Sequence, residues 1–165
     1  MPALEAEAVA PDLSLPTTEG TNFSLAAAIK DAPVVLAFFK VGCPTCQYAF
    51  PYLERIHKAY TKGTVTVVGV SQDNKQDTLA FMKQFGVTFP VLLDETNKYP
   101  ASNAYGLTNV PSTFLVSSAS KIEFNSVGWL KSEIEQLNRS AAKMAGTPPA
   151  EIFTKGEQVA DFKAA

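Results

Sequence analysis

From Pro33 to Phe39 the chain reads Pro-Val-Val-Leu-Ala-Phe-Phe, an unbroken apolar run rich in β-branched and aromatic residues. Such a run, flanked by turn residues, reads as a buried strand. A strand with no polar face needs cover on both sides. Four residues later comes Cys43-Pro44-Thr45-Cys46, which holds the only two cysteines of the chain. Beyond it Phe50, Leu53, Ile56 and Tyr60 recur at helical spacing over Gln47–Tyr60. The cysteine pair therefore stands where a buried strand ends and a helix begins.

That junction has chemical consequences. The first turn of a helix carries N–H groups without intrahelical partners, and its dipole favours negative charge. A cysteine there is more easily held as the reactive thiolate. With Cys43 as N-cap, Pro44 takes the first helical position, where a missing N–H costs nothing. Cys46 then lies one turn in, buried on the same face. A disulfide between residues three apart closes too small a loop to stabilise much, so a bond here is more plausibly used than structural. Two other readings stand beside a redox dithiol: half of a zinc site, and two incidental buried cysteines. A structural zinc site needs four ligands, and the chain offers one further candidate histidine, His57.

At 165 residues with formal net charge -2, the chain is long enough for one domain with a full core. No basic tract points to nucleic acid, and no apolar run is long enough for a membrane span. The acidic start, Met1-Pro2-Ala3-Leu4-Glu5-Ala6-Glu7, has no apolar core, which leads us to expect the cytoplasm. In a reducing compartment a CxxC pair is more often catalytic than a staple.

In chain order, Pro11–Leu15 reads as a short edge strand, and Ser24 caps a short helix over Leu25–Ile29. Pro51 should kink the helix after the cysteines, and Lys62-Gly63 should stop it. Thr64–Val70 is a second buried strand. Asp73 or Asn74 caps a helix with apolar residues Leu79, Phe81, Met82 and Phe85, closed by Gly86. Val87–Leu93 is a strand, and a helix from about Asn97 reaches Tyr105. A strand opening at Val110-Pro111 runs to Val116 and turns at 117–120 into an antiparallel partner, Lys121–Val127. Trp129 reads as a packing residue. Residues 131–144 form an amphipathic helix with Ile134, Leu137, Ala141 and Met144 inward. Alternating strands and helices imply an α/β sheet, mostly parallel, covered on both faces. Ligands of such sheets gather at the carboxyl ends of the strands, where Cys43 lies.

Taken together, the strand–CPTC–helix order, Pro51, the Val110-Pro111 strand and the closing hairpin plus helix resemble the thioredoxin fold. Phe89-Pro90-Val91-Leu92-Leu93-Asp94, Ala104-Tyr105-Gly106-Leu107 and Val110–Val116 are similar to the redoxin group: the AhpC/TSA family and related thiol–disulfide interchange proteins. The resemblance covers about residues 10–145. It implies a three-layer α/β/α fold with a central mixed sheet, in a domain over residues 1–145 followed by an extended tail at 146–165. It also implies Cys43 as attacking thiol, Cys46 as resolving thiol, and Pro111 as a cis proline facing the pair. Val110, Pro111, Pro44 and Thr45 become the substrate-contacting residues. The partners implied are a protein or small-molecule disulfide and a thiol reductant or reductase, with no cofactor, no metal, no nucleic acid, no membrane, and a monomeric or weakly dimeric state.

The chain also departs from the family. Gly42 stands where thioredoxins have Trp before the first cysteine. Ala37 and Ala49 stand at the positions, six residues before and after Cys43, that hold a proton-accepting carboxylate in relatives. Lys40 is close enough in sequence to help hold a thiolate, although a solvated lysine is the plainer reading. The expected activity is thiol–disulfide exchange. The alternatives are a thiol peroxidase, whose P-x-x-x-[TS]-x-x-C pattern fits neither cysteine, and a non-enzymatic redox sensor.

Overall fold

The computed structural model describes residues 4–60 and 64–165. In chain order the first half contains β1 (Ser14–Pro16), β2 (Asn22–Ser24), α1 (Leu25–Asp31), β3 (Val34–Phe39), α2 (Pro44–Ala59), β4 (Thr66–Ser71) and α3 (Lys75–Phe85). The second half contains β5 (Val91–Leu93), α4 (Pro100–Ala104), β6 (Ser112–Val116), β7 (Ile122–Val127), β8 (Trp129–Leu130), α5 (Lys131–Ala145) and β9 (Phe162–Lys163). The central sheet orders as β5–β4–β3–β6–β7, with β3 in the middle. β4 is parallel to β3, β5 is parallel to β4, and β6 and β7 are antiparallel to their neighbours. This is the mixed, helix-covered α/β sheet that the resemblance implies; with two of its four ladders antiparallel, it is less parallel than the alternation of strands and helices suggests.

The apolar run becomes β3, and all six of its residues are buried. Side chains alternate across a strand, so the run feeds two cores. Val35, Ala37 and Phe39 meet Phe50, Leu53 and Ile56 of α2 and Leu137 and Ala141 of α5. Val34, Leu36 and Phe38 meet Leu25 and Ile29 of α1 and Ala101 of α4. Each large apolar side chain so buried contributes about 1.5–3 kcal/mol. Rings fill the first core around α2: the Phe39 and Phe50 centroids are 4.4 Å apart, and those of Phe39 and Phe81 4.7 Å.

Local differences from the sequence reading have identifiable causes. Pairing in the first strand starts at Ser14 rather than Pro11, against an unforeseen partner, β2. The residues before Ser14 are engaged in starting α1 instead: the Leu13 carbonyl accepts from Leu25 N–H and the Asp12 carboxylate from Ala26 N–H. Only Val91–Leu93 of the expected 87–93 strand pairs along the sheet. Thr88 N–H is taken by the Glu54 carboxylate at 2.8 Å, and Pro90 has no N–H to give. Leu79, expected on the buried face of α3, is 43% exposed, while Thr78 on that helix is fully buried. α4 begins at Pro100, later than Asn97, because Asn97 and Tyr99 take left-handed backbone conformations. The Asp94 carboxylate then accepts from the Ala101 and Ser102 N–H groups. The stop expected at Lys62-Gly63 lies outside the described residues.

The residues after α5 make few elements of their own. They run back along α2, and β9 pairs antiparallel with β8. Tyr60 in the core fastens the start of this return. Its hydroxyl donates to Asn138 Oδ1 at 2.7 Å and accepts from Ala150 N–H at 2.8 Å. Further on, the Arg55 guanidinium makes a two-pronged pair with Glu157 at 2.7 and 2.8 Å.

Candidate active site

β3 delivers the chain to its carboxyl end at Phe39, and four loop residues lead to α2. Cys43 is the N-cap of α2 in extended conformation (φ -85°, ψ 113°), with Pro44 as its first residue. The Cys46 N–H donates to Cys43 Sγ at 3.2 Å. A free donor of the first turn is thereby aimed at that sulfur. Cys43 is half-buried and Cys46 fully buried; the two are not bonded to each other. Burial pushes the Cys46 thiol well up, and its proximity to the Cys43 sulfur adds to this. The pair is thus asymmetric, with one sulfur accessible and the other a protonated thiol behind it.

The opposite wall is the start of β6. The Val110–Pro111 bond is cis, and the Cys43 Sγ–H donates to the Val110 carbonyl at 3.6 Å. Pro111 is buried and Val110 half-buried. The Pro111 carbonyl accepts from Gly128 N–H at 2.9 Å, which links this wall to the turn before β8. Of the other two residues predicted to face substrate, Pro44 is exposed, whereas Thr45 is buried and its hydroxyl donates to the Ala164 carbonyl at 2.5 Å. Val110 meets Cys43 through its carbonyl, Pro111 follows across the cis bond, and Pro44 and Thr45 lie between the two cysteines in sequence; Thr45 is already engaged by the chain itself.

The loop between β3 and Cys43 is held by two residues that the sequence did not point to for this loop: Asp73, read there only as a candidate helix cap, and Gln47. Asp73 Oδ2 accepts from Val41 N–H at 2.8 Å. Gln47 Nε2 donates to the Val41 carbonyl at 2.9 Å. Both main-chain groups of Val41, two residues before the reactive sulfur, are therefore held, one by each side chain. The signal was the doubled Asp73-Asn74 before α3. Asn74 makes the cap, accepting from Asp77 N–H at 2.8 Å, which leaves Asp73 for the loop.

Beside Val110 opens a cleft of about 200 Å³ lined by Lys40, Gln72, Tyr99, Leu107 and Asn109. His57 lies well past the first turn of α2, its ring against Phe89. Trp129 is buried, packs edge-on to Tyr48 and donates Nε1–H to the Ala160 carbonyl. Ala37 and Ala49 are buried, so the two family carboxylate positions hold methyl groups. Among the described residues no cluster of three or more His, Cys, Asp or Glu side chains could hold a metal ion. No described helix is long and apolar enough to cross a membrane.

Comparison with known proteins adds to this geometry. Residues 6–125 match the family model described as AhpC/TSA family. The thiol-disulfide oxidoreductase ResA of Geobacillus thermodenitrificans (strain NG80-2) is 29% identical over 136 residues, covering 81% of this chain and 76% of that protein. The thioredoxin-like protein YneN of Bacillus subtilis (strain 168) is 32% identical over 131 residues, 77% of this chain and 75% of that one. Among solved structures, StoA from Bacillus subtilis superposes with TM-score 0.63 at 28% identity, covering 79% of this chain and 96% of that one.

Proposed function

The chain belongs to the AhpC/TSA family, and from that premise we propose that it is a thiol–disulfide oxidoreductase whose dithiol is Cys43 and Cys46. Cys43 is the attacking sulfur. In its anionic form it attacks one sulfur of a substrate disulfide in line, forming a Cys43–substrate disulfide and expelling the other substrate sulfur as a thiolate. Cys46 then attacks Cys43 Sγ, closing the intramolecular disulfide and releasing the second substrate thiol. The Cys46 proton passes to the departing thiolate or to solvent. Two electrons leave the dithiol, one disulfide is reduced, and a thiol reductant restores the pair.

The observation that carries this reading is the asymmetry of the pair at the mouth of α2. A half-exposed sulfur receives a backbone N–H at 3.2 Å, and a buried thiol follows one turn behind. Val110, Pro111, Pro44 and Thr45 border the site at which the mixed disulfide forms. The buried thiol lacks a carboxylate partner at positions 37 and 49, which supports resolution driven by the leaving thiolate's own basicity. Substrates are protein or small-molecule disulfides.

Insulin disulfide reduction with a dithiol reductant tests the proposal. Wild type accelerates it, Cys43→Ser abolishes the acceleration, and Cys46→Ser accumulates a Cys43 mixed disulfide visible by mass. Equal activity of Cys43→Ser and wild type overturns it.

A further inference from the structure

The two banks of the dithiol are not equivalent. On one side lies the open cleft beside Val110. On the other lie residues 160–165. The Ala164 carbonyl takes the Thr45 hydroxyl at 2.5 Å, one residue from Cys46. Gly128, bonded to the Pro111 carbonyl, lies so close to the same segment that an added Cβ would sit 3.0 Å from the Lys163 carbonyl oxygen and 3.1 Å from Ala165 N. Residues 162–165 thus bridge the CPTC turn and the strand behind Pro111.

The segment is held mainly through its backbone. Lys131 N–H donates to the Asp161 carbonyl at 2.9 Å, and Ala160 N–H donates to the Tyr48 hydroxyl at 2.9 Å. Lys163 and Phe162 pair in register with Trp129 and Leu130. The Phe162 side chain, which could have anchored it by burial, is 65% exposed. The Lys163 ammonium lies 4.9 Å from the centre of the Tyr48 ring. A short strand that pairs with an edge through main-chain hydrogen bonds is how an extended polypeptide docks on a sheet. Here residues 162 and 163 of the same chain take that place.

We propose that residues 162–165 set substrate specificity by occupying the docking edge formed by Thr45, Gly128 and β8. Disulfides then reach Cys43 from the Val110 side alone. Small-molecule disulfides, and protein disulfides that project from a chain end or tight turn, are favoured over a cysteine in the middle of an extended polypeptide. This rests on the redox reading of Cys43, whose function it narrows.

The test uses thiol attack in a single step, in a Cys46→Ser background of the full chain. One reagent is hydroxyethyl disulfide. The other is a short extended peptide with a central cysteine activated as its nitropyridylsulfenyl disulfide. Attack by Cys43 forms the Cys43–peptide disulfide and releases nitropyridinethiolate, followed by absorbance. Lys163→Pro removes an N–H from the β8–β9 pairing, and Thr45→Val removes the Ala164 anchor. Either substitution should raise the ratio of peptide rate to small-disulfide rate about five- to tenfold, the factor for losing one hydrogen bond that an incoming strand must displace. A ratio unchanged within about twofold in both variants, below the effect of one such bond, overturns the proposal. Because this ratio comes from stoichiometric attack, it stands apart from turnover; failure of insulin reduction strikes the preceding reading alone.

Discussion

Gly128→Ala tests whether residues 162–165 are held as tightly as their contacts show. Two costs fall on this substitution. The first is the backbone: Gly128 has φ +81°, and an L-residue in the left-handed region costs about 1–2 kcal/mol. The second is steric. The new methyl would lie 3.0 Å and 3.1 Å from backbone atoms of Lys163 and Ala165. Those atoms belong to a paired strand and not to a flexible side-chain tip, so relief requires the segment to move. Retreat loses the Thr45–Ala164 bond and weakens the β8–β9 pairing, about 1 kcal/mol net for each bond. The sum is about 3 kcal/mol. Gly146→Ala isolates the first cost, since Gly146 has φ +72° and nothing within 4 Å of its would-be Cβ; it should lose only about 1–2 kcal/mol. Urea unfolding at equal m-value gives both numbers. By melting, the two variants should fall by roughly 6–12 °C and 2–8 °C. Hydrogen exchange should show lost protection around residues 160–163 in Gly128→Ala alone. Equal losses in the two variants, with that protection intact, would refute the steric argument.

Three further outcomes follow from other contacts. Tyr60→Phe strands the Ala150 N–H and the Asn138 side-chain oxygen in a buried site, and denaturant titration should show a loss of about 2–4 kcal/mol. Glu157 is held down to about 2 first by the Arg55 hydrogen bonds and then by the Thr154 N–H, against an ordinary 4.5; the stability it contributes is present above the unfolded value and lost as pH falls from 4.5 toward 2. Melting curves across that window should be shallower in pH for Glu157→Gln, and an identical slope in both proteins would count against the ion pair. The Cys46 thiol is raised by burial first and by the Cys43 sulfur second, so its contribution to stability is intact below the ordinary thiol value of about 8.5 and fades as pH rises beyond it; iodoacetamide at neutral pH should label Cys43 and spare Cys46 by peptide mass mapping.

Much of the fold was legible because its signals are local. The apolar run forces a strand covered on both faces, Ser24 and Gly86 mark helix ends by their side chain and their left-handed backbone, and the CPTC spacing places one sulfur at a helix mouth. What the sequence hid depends on contacts between distant segments. Nothing local shows that Thr88 N–H is claimed by Glu54, thirty-four residues away, or that Asp73 reaches back to Val41. The region after α5 lacks periodicity, so it reads only as an extended tail with no partners named, yet its carbonyls meet Arg55, Trp129 and Thr45. A segment held by its main chain writes no pattern in its side chains.

The alternation of β3 divides responsibility between two halves of the molecule. Val35, Ala37 and Phe39 support the helix that carries the sulfurs, whereas Val34, Leu36 and Phe38 support the opposite layer. Drift at the second set can therefore alter how firmly the scaffold stands while reactivity is left alone. Drift at the first set reaches the sulfurs through only one packed layer, so adjacent residues of a single strand face unlike selective pressures.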